Sequence, residues 1–226
     1  MPAFTRGGSG PVAERRPIKA RGAGWAQAAA RWLAASRVTP NQISASSMVF
    51  AALAFGCFWL TRPAGPGVAA ALLIGAALFC QLRLVANLLD GMVALEGGKA
   101  SPSGPFWNEA PDRVADVLIL AGLGLAAGPL WLGCFAGALA VGTAYLRELG
   151  RAEGLAADFC GPMAKPQRMA AVTLGCVAGA VEAALWGSTV ALQVTLWAVA
   201  LGTALTAIRR AVRLVRGLSL PPGAGK

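Results

Sequence analysis

The chain has 226 residues, 56% of them hydrophobic and only 13% charged, with a mean hydropathy of +0.60. These values exclude an ordinary soluble domain and describe an all-α integral membrane protein. A net charge of +10 raises the question of nucleic acid, but no nucleic-acid-binding motif accompanies it. Membrane topology and contact with anionic membrane lipid account for the charge instead.

Residues 1–24 are rich in Gly, Pro and Arg and read as a disordered basic segment without the apolar core of a signal peptide. Residues 25–37 then place Trp25, Ala28, Ala29 and Trp32 at helical spacing with Arg31 beside them, the pattern of a short interfacial amphipathic helix. Thr39, Pro40 and Asn41 follow as a helix start: a cap residue, a proline suited to the first turn and a polar group near the surface.

Six apolar windows long enough to cross roughly 30 Å of hydrocarbon lie at 42–61, 68–89, 110–128, 129–146, 168–186 and 189–208. Only Gly128, Pro129 and Leu130 separate the third from the fourth. The six-helix domain spans residues 25–216, and 217–226 form a flexible tail. With both termini in the cytoplasm, Arg62 is the one basic loop residue on the far side, as the positive-inside rule requires. The expected location is multi-pass in a bacterial inner membrane. Cys57, Cys80, Cys134, Cys160 and Cys176 are scattered and the chain has no histidine, so neither zinc nor a disulfide framework is expected.

The chemistry is expected between Asn87 and Asp116, where five of the ten carboxylates gather between apolar runs. Asn87, Asp90, Gly91 and Ala94 share one face at the end of the second span. Asn108, Asp112 and Asp116 share one at the start of the third. Joined by the polar loop from Glu96 to Gly104, the two faces offer oxygen ligands, which suit Mg²⁺ or Mn²⁺ rather than zinc. Gly91, Gly97, Gly98 and Gly104 leave room for a phosphate-bearing ligand. The bland alternative is that the acids pair with Arg83, Arg113 and Lys99 and only hold helix ends together.

This segment resembles the signature of the CDP-alcohol phosphotransferases, D-x-x-D-G-x-x-A-R followed after eight or nine residues by G-x-x-x-D-x-x-x-D. The same frame runs here through Asn87, Asp90, Gly91, Ala94 and Leu95, then through Gly104, Asn108 and Asp112. The six spans, the interfacial helix and the VTPNQIS segment extend the resemblance over nearly the whole chain.

It implies a metal-dependent transfer from a CDP-diacylglycerol-like donor to a hydroxyl acceptor, with release of CMP, in phospholipid biosynthesis. Implied metal positions are Asn87, Asp90, Asn108 and Asp112, with Asp116 added here. Asn41, Gly91, Ala94 and Gly104 face the donor, and Asp112 is the general base. A homodimer is implied as well.

Three departures stand out. Asn87 and Asn108 replace aspartates, so one or two ions remain open, and Leu95 replaces an arginine, a loss that Arg83 or Lys99 could offset. Between the fourth and fifth spans, Arg147, Arg151, Lys165 and Arg168 are candidates for holding a polar or phosphorylated acceptor, or are ordinary positive-inside residues. Two rival functions share the frame: hydrolysis of a CDP-lipid pyrophosphate, and noncatalytic lipid or nucleotide binding.

Overall fold

Seven helices account for nearly all of the described residues, 22–99 and 101–219 of a computed structural model, and no strand occurs among them. Residues 1–21 of the expected disordered segment and 220–226 of the expected tail lie outside the described residues.

Helix α1 spans Gly24–Ala35. Its Ala26 and Ala30 are fully buried beside Leu88, Met92 and Val93, while Trp25 and Trp32 are exposed on the opposite side. Helix α2, Pro40–Thr61, starts where the cap residues predict. Thr39 Oγ1 accepts from the Gln42 amide at 3.3 Å and Gln42 Oε1 accepts from the Thr39 amide at 3.0 Å. Each satisfies a backbone group that the helix leaves open, and Pro40 has no N–H to satisfy.

Helix α3, Pro66–Glu96, outruns its apolar window. At 1.5 Å per residue its 31 residues reach about 46 Å, against roughly 30 Å of hydrocarbon. The turns that carry Asp90 and Glu96 are therefore left for one membrane surface.

Helix α4, Gly104–Ala127, begins ahead of its window and holds Pro111 inside. Helices α5, Leu130–Ala152, α6, Lys165–Trp186, and α7, Val190–Leu218, complete the bundle. Helices α2, α3, α5, α6 and α7 are long and apolar enough to span a bilayer. Every 18-residue stretch of α4 includes Asp112, Arg113 and Asp116.

The six long helices form a closed circuit. Helix α2 packs on α3 and α4, α4 on α5, α5 on α7, α7 on α6, and α6 returns to α3. Phe58, Leu120, Leu123, Leu132, Leu192 and Leu196 fill its middle. Cys80 and Cys176 are buried there, and all five thiols are free.

Between α4 and α5 the backbones nearly touch, since a side chain at Gly133 would lie 2.4 Å from the Leu120 carbonyl oxygen and 2.8 Å from Gly124 Cα. Within a membrane, close approach of this kind is itself the attraction between helices. Gly133→Ala is expected to destabilise by about 1–3 kcal/mol, read as a lower unfolding temperature in detergent. Gly56→Ala, with nothing within 4 Å, serves as the neutral control.

Candidate active site at one end of the bundle

Where the ends of α2, α3, α4 and α6 meet, the acidic faces expected from the sequence come together with three cations. On α3, Arg83, Asn87 and Asp90 follow one another along the side that faces α4. Arg83 is fully buried; its Nη2 donates to Asp116 Oδ1 at 2.8 Å and to the Asp112 carbonyl at 3.1 Å, and lies 3.3 Å from Asp112 Oδ1. Asn87 Nδ2 donates to Asp112 Oδ1, leaving its amide oxygen over. Asp90 is buried; its Oδ2 accepts from Ser44 Oγ at 2.5 Å and its Oδ1 has no partner.

On α4 the expected face descends from exposed Asn108 through half-buried Asp112 to buried Asp116. Helix α6 closes the site from its first turn. Lys165 Nζ pairs with Asp112 Oδ2, and buried Arg168 donates to Asp116 Oδ2 at 2.5 Å. Both oxygens of Asp116 are thus taken by guanidinium groups.

The rest of the basic set is divided. Arg147 reaches Glu109 at 2.7 Å and Glu148 at 2.9 Å and lies 5.5 Å from the Phe159 ring centre. Arg151 bonds only Glu148, at 3.0 Å, and is exposed. Glu109 also pairs with Arg113, so part of the bland alternative holds: Arg83 and Arg113 do engage the acids.

Among the residues expected to face a donor, Asn41 Nδ2 donates to Ser101 Oγ at 3.3 Å and Ser103 Oγ at 3.4 Å, tying the α3–α4 loop to the start of α2. Gly91 and Ala94 are half-buried in the last two turns of α3, and a side chain at Gly104 would come only to 3.8 Å of Ser101 Oγ. Gly97 is different, because a Cβ there would strike the Val93 carbonyl at 2.6 Å and Ala34 Cβ at 3.1 Å. Close packing of α1 on α3 explains that glycine, and φ of +60° explains Gly98. Leu95 is exposed. Neither expected substitute for its missing arginine is free: Arg83 is held by the acids, and Lys99 donates to the Ser36 and Val38 carbonyls at 2.6 and 3.4 Å.

Two groups escaped the sequence reading. Ser44 sits one turn after Pro40 and is the donor that orients Asp90. Arg210 is buried in α7, where its Nη1 donates to the Thr143 carbonyl at 2.8 Å and its Nε to the Cys160 carbonyl at 3.0 Å. The signal for Arg210 was its place on the buried stripe of Leu196, Val199, Thr203 and Thr206. Arg147, Arg210, Asp158 and Arg213 line a recess of about 230 Å³ between α5 and α7.

Asp158, in the α5–α6 loop, folds that loop over the recess. Partial burial raises its pKa, but the Cys160 amide and thiol, with Arg213 and Arg210, outweigh burial and hold it below the ordinary 3.8. A depressed folded-state value stabilises above the unfolded value and is lost as pH falls through the folded one. The unfolding temperature is therefore expected to drop below about pH 4, and Asp158→Asn is expected to remove part of that drop.

Among the described residues, no three carboxylates, thiols or imidazoles converge to hold a metal by themselves. The set does fit a hard cation whose remaining ligands come from a phosphate-bearing substrate: the Asp90 Oδ1 atom is buried and unpartnered, and the Asn87 amide oxygen is one turn away. Oxygen-only donors of this kind suit Mg²⁺ or Mn²⁺.

The folded chain superposes on phosphatidylinositol phosphate synthase of Mycobacterium tuberculosis with CDP-DAG bound, with a TM-score of 0.72 over 90% of this chain and 98% of that one, at 21% identity. The chain has the CDP-alcohol phosphotransferase fold. The same synthase in complex with manganese and citrate gives a TM-score of 0.70 at 21% identity, covering 89% of this chain and 92% of that one. The resemblance read from the signature frame is thereby borne out for the fold.

In sequence, the chain is 34% identical over 189 residues to the bifunctional IPC transferase and DIPP synthase of Rubrobacter xylanophilus, covering 80% of this chain. It spans 38% of that relative's length. No family model matches the chain.

Proposed function

We propose that the chain is a membrane CDP-alcohol phosphotransferase that moves a phosphatidyl-type group from a CDP-linked lipid to a hydroxyl acceptor and releases CMP. The observation that carries this reading is the placement of Asp90, with its free buried oxygen, on α3 and of Asp112, joined to α3 through Arg83 and Asn87, on α4 at the positions of the signature acids. The fold it shares with a synthase that binds CDP-DAG, and with one that holds manganese, supports the donor class and the use of a divalent cation.

In this reading Asn87 and Asp90 hold the cation, which when bound neutralises pyrophosphate charge. Asn108 stands at the rim on the same face as Asp112. Asn41, Gly91, Ala94 and Gly104 border the nucleotide. Asp112 takes the proton of the acceptor hydroxyl, whose oxygen forms a new bond to the β-phosphorus as the bond to the CMP oxygen breaks. Asp116 acts through Arg83 and Arg168, which it holds in place. Lys165 at Asp112 and Arg147 at Glu109 meet an anionic acceptor, with Arg151 at the mouth, while Arg168 is held by Asp116. An inositol phosphate is the first acceptor to try, since the structural neighbour is named for phosphatidylinositol phosphate.

Helix α4 counts as the sixth span, because its charges are paired inside the bundle rather than facing lipid. The arginine-rich end then faces the cytoplasm with both termini, in a bacterial inner membrane, as a homodimer.

The test is CMP release from CDP-diacylglycerol by the purified protein with Mg²⁺ or Mn²⁺ and a panel of alcohols. Alcohol-dependent release with a new phospholipid is the expected result. Release without alcohol dependence favours the hydrolase, and metal-dependent donor binding without release favours the noncatalytic binding protein.

A further inference from the structure

A carboxylate at position 87 would face Asp112 across a gap that only a cation could bridge, whereas the Asn87 amide bridges it with its own N–H. On the other side of Asp112 the Lys165 ammonium already stands at Oδ2. Resting on the function proposed above, we infer that this chain binds a single divalent cation, with Lys165 supplying the positive charge that a second ion would otherwise bring to Asp112.

The charges of the site favour this. Asp90, Asp112 and Asp116 are balanced by Arg83, Arg168 and Lys165, all in or beside the ion pairs described above. Two divalent ions would load four further positive charges on a set that is already neutral, and a bound pyrophosphate could not offset them all. One ion can be accommodated, and the unpartnered oxygen for it is on Asp90, on the α3 side. Asp116 has no oxygen to spare, because Arg83 and Arg168 occupy both. The two amides and the lysine thus belong together: each removes a reason for the second ion.

The probe is Mn²⁺ alone, titrated into the full chain in detergent and followed by equilibrium dialysis and electron paramagnetic resonance. One ion per chain with an uncoupled six-line spectrum is expected. Lys165→Met is expected to tighten Mn²⁺ binding by about tenfold or more, since a like charge beside Asp112 is removed, and Lys165→Arg is expected to leave it unchanged.

Asn87→Asp and Asn108→Asp combined with Lys165→Met are expected to admit a second ion, coupled to the first at a separation of roughly 4 Å. Two coupled ions in the unaltered chain, or no tightening in Lys165→Met, would overturn the inference and leave the transferase reading intact if CMP release persists. No bound ion, either with Mn²⁺ alone or with CDP-diacylglycerol added, would overturn both. Should the triple variant fail to fold, the stoichiometry of the unaltered chain decides alone.

Discussion

Alanine in place of Asp112 is expected to slow CMP release from the CDP-lipid by about 10²–10⁴-fold while the protein stays folded and still binds its donor. Asp112 is half-buried and open at its Lys165 side, where that partner is itself partly exposed. Removing the carboxylate therefore strands no deeply buried charge. What disappears is the acceptor for the hydroxyl proton at the junction of α3, α4 and α6. Asp112→Asn preserves shape and the approach of Arg83, so it separates proton transfer from packing. Single-turnover measurements with saturating acceptor make the comparison, and an unchanged rate in both variants would remove Asp112 from the chemistry.

One turn deeper, removing a carboxylate has a different outcome. Asp116→Leu leaves buried Arg168 without a carboxylate and Arg83 with only Asp112 at 3.3 Å, a loss expected to cost about 3–5 kcal/mol. The network has little to fall back on, since Arg83 Nε and Nη1 and Arg168 Nε already lack partners. Low yield and a much lower unfolding temperature in detergent are the expected readouts. Replacing all three together, Arg83→Met, Asp116→Leu and Arg168→Met, is expected to recover most of that stability, because neither buried guanidinium remains to be left unpaired. Such a protein would still be inactive, having lost the Arg83 contacts that fix Asp112. Full stability of Asp116→Leu alone would show that the ion pairs are not what holds α3, α4 and α6 together.

These contrasts bear on what the sequence could reveal. Apolar length located all six long helices, and Thr39 with Pro40 marked the start of α2, because both signals are local. The polar ends were less legible: α3 runs on to Glu96 and α4 begins at Gly104, where the helix leaves the hydrocarbon and hydropathy no longer traces it. Pro111 lies inside α4, buried.

Helical spacing correctly put Asn108, Asp112 and Asp116 on one face. It could not say that the face descends from solvent to core, which is why Asp116 meets arginines. Nor could it find Ser44 beside Asp90, or assign Arg168 to Asp116, since those pairings depend on which helices become neighbours.

The circuit of helices has one more consequence, for the order of events during synthesis. Besides α2, helix α3 packs on α6 and only slightly on α4, and α6 leaves the ribosome only after two further helices. Until then Asp116 has Arg83 alone, and Asp112 lacks its lysine. The first half of the chain can thread the bilayer, but its charges are half-matched until α6 slots in beside α3. Only then does α7 bind α5 and α6 and bring Arg210 to the α5–α6 loop. A polypeptide arrested before its last two helices would hold every signature residue and no assembled centre.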